Sequence, residues 1–488
     1  MVDPPGKNKG LNSGLGYLSA VLKDHHQVRI LDLNNIKMGF CGDPNPDMPR
    51  SEWEERIINA VDEFDPQLFG ISVKTYTAEI SRHIFKFIRS ERPPLITLAG
   101  GPHITLDGFR YIQENKIDFG IQGEGEYSIL KLAEDLEKDK KTRNIQGLLC
   151  WQNGELAHNP EYHAIQDLDS LPFPDYHHFS SVREHGGCLP EYPLLTSRGC
   201  PYRCSYCSMP KIMGSKWRIH TPRRVLEELH HAKLEYQSTG FTVVDDNFTL
   251  NSKRAEEICD LLILDKMNIP WNCQNGIRAD QISGSLAIKM RRSGCRYVWI
   301  GIESADEKLL ESINKGEELK DIVKGIRHLK RAGIRVGGFF ITGLPLSTRE
   351  ADLKSIDFVK EQGIDGWWFY FVPYPHTKAW EWVQAHGRLL RSLDGALQFG
   401  THNIEPVFDT QEYPRESRIN TYNEIHIRMK HFDRLVDPCL NQWDKWLKVL
   451  KLVTPYGTGK ILSLLIFIIK HNAKLAIRAL LSNLDSQR

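Results

Sequence analysis

The 488-residue sequence has almost no charge imbalance: 63 Lys and Arg stand against 62 Asp and Glu, a net charge of +1. So balanced a chain has no global pull toward nucleic acid. Its 10 cysteines are scattered apart from one cluster, which argues against a disulfide framework and points to a reduced, cytosolic setting. "MVDPPGKNKG" lacks an apolar h-region, so no secretory signal is expected. The apolar run "ILSLLIFII" is nine residues long, far below the roughly 20 needed to span a bilayer. There is no low-complexity tract.

What is present is length and hydrophobic content. At 41% hydrophobic, the chain can bury substantial cores, and its length suggests two or three domains. Residues 1–150 alternate strands with helices: "HQVRILDLNN", "PQLFGISVKT" and "LITLAGGPH" read as strands, "SEWEERIINAVDEF" and "AEISRHIFKFIRSE" as helices. That is a doubly wound α/β pattern, whose ligand sits beyond the carboxyl ends of its strands. "MVDPPG" reads as the end of a first strand whose beginning lies upstream. "SVKT", "AGGPH" and "QGEGE" fall at strand ends, and Gly100, Gly101, Gly123 and Gly125 would let backbone approach a large planar ligand. Tight turns are the alternative.

Residues 151–190, rich in Pro, Asp and His, read as a linker. From 191 to 420 six further strand–helix units follow: "YPLLTSR", "FTVVDDNF", "PWNCQNGIRA", "RYVWIGIES", "RVGGFFITG" and "GWWFYFVPY" are the strands. Helices are expected near 221–236, 252–267, 284–293, 318–332 and 349–362, closed by Gly240, Gly294, Gly333 and Gly363. Six units suggest an open, partial barrel with its chemistry at the carboxyl ends of the strands.

The cysteine cluster follows the first of these strands. In "TSRGCPYRCSYCSMP", Cys200, Cys204 and Cys207 are spaced C-x3-C-x2-C. Zinc would need a fourth ligand, with His220 nearest in sequence, and this is not a usual zinc spacing. An iron–sulfur cluster held by three cysteines leaves one iron open for a small molecule. The spacing, with Tyr206 just before the third cysteine, resembles the radical S-adenosylmethionine (SAM) superfamily. That resemblance implies a [4Fe–4S] cluster whose open iron is chelated by SAM, and an external flavodoxin- or ferredoxin-like electron donor. It also implies a SAM and substrate cavity lined by Asp246, beside Asp245 and Asn247, by Glu303 and by Gly343 in "GFFITGLP". Each of these could instead cap a helix.

An α/β domain carrying "GLGYLSAVLK", "GISVKT", "AGGPH" and "GEGE" ahead of such a barrel resembles the cobalamin-binding members of the superfamily. Cobalamin would then lie over the strand ends, near Ser72, Thr75, Gly100, Gly101, His103, Gly123 and Glu124. There is no D-x-H-x-x-G motif, so a His ligand to cobalt is not expected. The resemblance implies methylation of an unactivated carbon. Radical oxidation or cyclisation, as in the anaerobic porphyrin-ring cyclase, is the alternative within enzymes; a zinc-bound scaffold or a cobalamin sensor is the alternative outside them. Residues 421–488 read as a helical, basic extension. Lys470, Lys474 and Arg478 recur every four residues beside apolar side chains, which suits a helix on a membrane surface or a lid on the barrel. The first of these would fit a lipid-linked rather than a free small-molecule substrate.

Overall fold

The computed structural model describes residues 1–6, 9–36, 48–138, 144–159, 164–391 and 405–436. The expected basic helices of 440–488 lie outside the described residues. The chain divides into Met1–Asn423, which holds both large sheets, and a second unit from Glu424.

The first sheet contains β1 (Val2–Asp3), β2 (Leu31–Asp32), β3 (Leu68–Ser72), β4 (Ile96–Gly100), β5 (Phe119–Ile121), β6 (Leu148–Gln152) and β7 (Glu155–His158), in the order β2-β1-β3-β4-β5-β6-β7. β1 to β5 are parallel, and the direction of winding reverses between β1 and β3. The near-continuous apolar strands are explained by cover on both faces. Phe69, Ile71 and Ala99 pack with Trp53, Ile57, Ile84 and Ile88 on one side; Leu98 and Ile121 pack with Leu22, Ile129 and Leu132 on the other. The sheet does not stop near 150. β6 and β7 form an antiparallel hairpin that extends it to His158.

The second sheet is wholly parallel and open, in the order β15-β14-β13-β12-β11-β8. Its strands are β8 (Glu191–Leu194), β11 (Gly240–Val243), β12 (Trp271–Ile277), β13 (Cys295–Glu303), β14 (Arg335–Thr342) and β15 (Asp365–Tyr370). The intervening β9 (Ser197–Arg198) and β10 (Arg218–Ile219) form a short antiparallel ribbon. Among the described residues β8 is an edge strand bonded to β11 alone; the amides of Gly240 and Val244 donate to the carbonyls of Pro190 and Leu194.

The helices between these strands are Pro222–Glu235, Ser252–Leu264, Gly284–Arg292, Leu319–Arg331 and Arg349–Gln362. Thr221, Asn251, Ser283 and Thr348 each accept a hydrogen bond from an amide three residues on, satisfying first-turn donors. Gly294, Gly333 and Gly363 have positive φ beyond helix ends, as expected. Gly240 does not: it opens β11, and Gln237 takes the left-handed conformation after its helix.

Candidate active site

The three clustered cysteines lie on the loop between β9 and β10, beyond the carboxyl end of β8. Gly199 starts that loop at φ +86°, and a Cβ there would stand 2.4 Å from the Lys216 carbonyl oxygen. The loop is tied down along its length. Cys200 N–H donates to Gly214 O (3.3 Å), Ser205 N–H to Ile313 O (2.8 Å) and Ala379 N–H to Ser205 O (2.9 Å). Asn314 Nδ2 donates to Arg203 O at 3.0 Å, and the Arg278 guanidinium lies 3.7 Å from the centre of the Tyr202 ring.

All three thiols are free and half-buried. Burial pushes each upward; for Cys207, pushed up to about 12, the neighbouring Cys204 and Cys200 add to the effect. Lys315 and Arg278 draw Cys200 and Cys204 the other way. Among the described residues no three His, Cys, Asp or Glu side chains converge on a single ion. In an iron–sulfur cube each ligand sulfur takes a different iron, so such convergence is not required.

Around this loop stand the acidic residues of the strand ends. Glu303, at the end of β13, is buried and has φ +67°. Its carboxylate folds back over Gly301, where a Cβ would meet Glu303 Oε1 at 2.6 Å. Lys315 bridges Glu303 (3.1 Å) and Glu317 (3.3 Å). Burial raises the Tyr206 phenol well above its ordinary range, and its hydrogen bond to Glu303 adds to the shift. Asp246 is pushed up to about 7 by burial and by Asp245, opposed by the Gly199 amide. Asp245 instead accepts from Thr196 N (2.5 Å), Thr196 Oγ1 (2.6 Å) and Ser197 Oγ (2.6 Å). It therefore fixes the approach to the cysteine loop.

The strand ends of the first sheet form a second polar edge. Ser72 Oγ accepts from Asn12 Nδ2 at 3.1 Å, and Thr75 is buried one turn further on. Gly101 has φ +96°, with its Cβ position 2.9 Å from Val73 O; Gly100 has open space, the nearest atom being 3.9 Å away. Gly123 has φ +77°, and its amide donates to Thr105 Oγ1 at 2.9 Å. His103 is buried, its ring edge-on to Tyr111 at 5.0 Å.

The two edges are joined by an ion-pair network. Arg218 Nη1 donates to both oxygens of Glu124 at 2.8 Å. Arg198, two residues before Cys200, reaches Glu124 at 3.3 Å and Glu126 at 2.6 Å. The carboxylates and guanidiniums involved are all at most 5% exposed.

Comparison with known proteins places the two halves. Residues 7–133 match the B12 binding domain family, and residues 194–359 match the radical SAM superfamily. An uncharacterized methyltransferase of Pyrococcus horikoshii is 32% identical over 379 residues, covering 77% of this chain and 79% of the relative. The chain belongs to the cobalamin-binding radical SAM enzymes. The anaerobic magnesium-protoporphyrin IX monomethyl ester cyclase of Cereibacter sphaeroides is 25% identical over 334 residues, 66% of this chain and 54% of that protein. The fold is also that of the radical SAM methyltransferase TsrM from Kitasatospora setae (TM-score 0.64, 17% identity, 80% of this chain and 78% of that one).

Two residues expected to touch a cofactor, Glu124 and Gly343, and His220, the candidate fourth ligand of the zinc alternative, each have protein partners in this radical SAM enzyme. Glu124 is held by Arg198, Arg218 and the Ile165 amide (2.7 Å), so it joins the two halves. Gly343 donates its amide to Asp352 Oδ2 (2.9 Å) and gives its carbonyl to Arg418 Nη1 (2.8 Å). Both backbone groups are thereby engaged within the fold. His220, the fourth ligand of a zinc reading, is 1% exposed between the Tyr17 hydroxyl (3.2 Å) and Asp169 (3.1 Å). Sequence reasoning missed Lys315, Arg278 and the arginine pair, which carry no local motif.

Proposed function

We propose that this enzyme methylates an unactivated carbon of a small molecule, using a [4Fe–4S] cluster, SAM and cobalamin. One observation carries the reading: a fixed loop presenting three free thiols stands at the carboxyl mouth of a β/α sheet, braced against the ligand edge of a B12-binding domain. When bound, the cluster supplies a single electron, SAM the methyl group and the hydrogen-abstracting fragment, and cobalamin a carrier for the methyl group.

The donor set suits this. Cys200, Cys204 and Cys207 would hold the cluster, with the cations Lys315 and Arg278 beside them favouring thiolate. Glu303, positioned by Tyr206 and Lys315, and Asp246 would face SAM and substrate. Ser72, Thr75, Gly100, Gly101, Gly123 and His103 would face the corrin, His103 as a ring contact rather than a cobalt ligand. In this reading the domain of the first sheet, through His158, cradles cobalamin, the segment from there to 190 links, and 191–420 form the radical SAM core. An external flavodoxin- or ferredoxin-like donor would deliver the electron. The basic stripe of Lys470, Lys474 and Arg478 supports a cytoplasmic protein touching membrane peripherally, for a lipid-linked substrate. Among the described residues no helix is long and apolar enough to cross a membrane.

The test uses anaerobically reconstituted protein and SAM labelled in its methyl group. Label should appear on the protein-bound corrinoid, and Cys204→Ala should remove iron while leaving corrinoid in place. Formation of 5′-deoxyadenosine with no label reaching the corrinoid would overturn methylation in favour of oxidation or cyclisation.

A further inference from the structure

The inner face of the second sheet is layered. At its amino end Tyr297 OH and Arg335 both bond Asp365 (2.8 Å; 2.6 and 2.9 Å), closing a polar floor. At its carboxyl end stand Glu303, Lys315 and the cysteine loop. Between them lie four rings: Trp299 of β13, Phe339 of β14, and Trp367 and Phe369 of β15. Strand alternation puts these on the inner face. Their neighbours Phe340 and Trp368 turn to the helices, where Trp368 Nε1 donates to Ser355 Oγ at 2.8 Å.

Trp299 and Phe339 are parallel (4.6 Å, 9°), as nearly are Trp367 and Phe369 (5.9 Å, 18°). The two pairs meet at 46–71°, so the rings form a corner rather than a single stack. Phe339 extends from beside Gly301 to within 3.6 Å of a Cβ position at Gly276. Over Gly301 stand the Glu303 carboxylate and the Lys315 ammonium, whereas the nearest neighbours of a Cβ at Gly276 would be the Phe339 ring and the Gly301 amide, so the ring is approached from the Gly276 side. Phe339, Trp367 and Phe369 are each partly exposed, although helices cover the other face of the sheet.

A further feature distinguishes this corner from core packing. The indole N–H of Trp367 is buried and has no hydrogen-bond partner among the described residues. A buried Trp N–H ordinarily finds an acceptor, and leaving it unpaired is unfavourable.

We propose that this corner is the substrate subsite, that it takes a planar apolar ring system, and that Trp367 Nε1–H donates to an acceptor atom on the edge of that ring. The inference rests on the reading of this lumen as the substrate cavity and adds the substrate class. Trp367 is thereby a specificity-determining residue: a site holding a buried donor discriminates against an isostere lacking the acceptor.

The test measures binding of two bicyclic probes to the reconstituted holoenzyme by equilibrium dialysis. Coumarin carries a carbonyl acceptor; naphthalene has rings of the same size and none. Wild type should bind coumarin more tightly. Trp367→Phe, which keeps an aromatic ring, should weaken coumarin about three- to tenfold and leave naphthalene nearly unchanged. Phe339→Ala should weaken both. A Trp367→Phe variant that retains the coumarin preference, or weakens the two probes equally, overturns the assignment of the donor. Wild-type enzyme that binds neither probe overturns the subsite. The readout needs no turnover, so failure of methyl transfer alone would leave these results standing.

Discussion

Replacing Arg198 by Met should be among the most destabilising single changes in the first unit, although Arg198 is expected to touch no cofactor. Its guanidinium is the partner the structure gives Glu126 (2.6 Å), and both groups are at most 5% exposed. Removing one member of such a buried pair leaves an uncompensated charge, which costs about 3–5 kcal/mol. Loss of the guanidinium over the Tyr17 ring, 4.8 Å away, adds about 0.5–1 kcal/mol. Glu124 keeps both bonds from Arg218, so the damage centres on Glu126. The expected total is about 3.5–6 kcal/mol at pH 8. Most of this is the unpaired charge rather than a lost attraction, so adding Glu126→Gln to Arg198→Met should recover more than half. Urea unfolding of the anaerobic proteins, followed by far-UV circular dichroism, measures both values. A loss below about 1 kcal/mol, or a double variant no more stable than the single one, refutes the argument.

Burial lowers His220 to about 4 from an ordinary 6.5. The unfolded chain therefore takes up a proton that the fold refuses. Stability from this residue is complete above pH 6.5 and falls by about 3 kcal/mol as pH drops toward 4; His220→Gln should flatten that part of the stability–pH curve. Gly101→Ala places a methyl group 2.9 Å from Val73 O at φ +96° and should cost about 2–3 kcal/mol. Gly100→Ala, with its nearest atom at 3.9 Å, should stay within about 0.5 kcal/mol in the same unfolding assay. Equal effects at the two glycines would contradict the geometry.

The barrel helices were legible in the sequence because each has an apolar stripe and four of the five begin at a capping Thr, Asn or Ser, and both signals are local. The cysteine loop was legible for the same reason. Glu124 was not, because its partners Arg198 and Arg218 lie 74 and 94 residues away, and nothing beside a Gly-rich turn distinguishes a ligand-binding carboxylate from a bracing one. Gly343, in "GFFITGLP", reads as a strand-end glycine lining the SAM cavity. Its left-handed φ instead makes room for Arg418, whose Nη1 would lie 2.2 Å from a Cβ. In "GWWFYF" both periods of the strand are aromatic, so hydrophobicity does not tell inner from outer face. Packing against Ser355 and Phe358 decides it for Trp368 and Phe340.

The edge position of β8 bears on how the chain folds. Pro190 and Leu194 turn their carbonyls toward β11, so the alternate residue Pro193 turns its nitrogen outward, away from the one strand that neighbours it among the described residues. A growing chain releases β8 some 45 residues before β11, and a lone apolar strand invites pairing with another nascent chain. Pro193 has no N–H to offer along that outer rim. The outer rim thus lacks one donor at Pro193, and Glu191 adds a charged side chain to the same strand; both make sheet-to-sheet association during early synthesis less favourable.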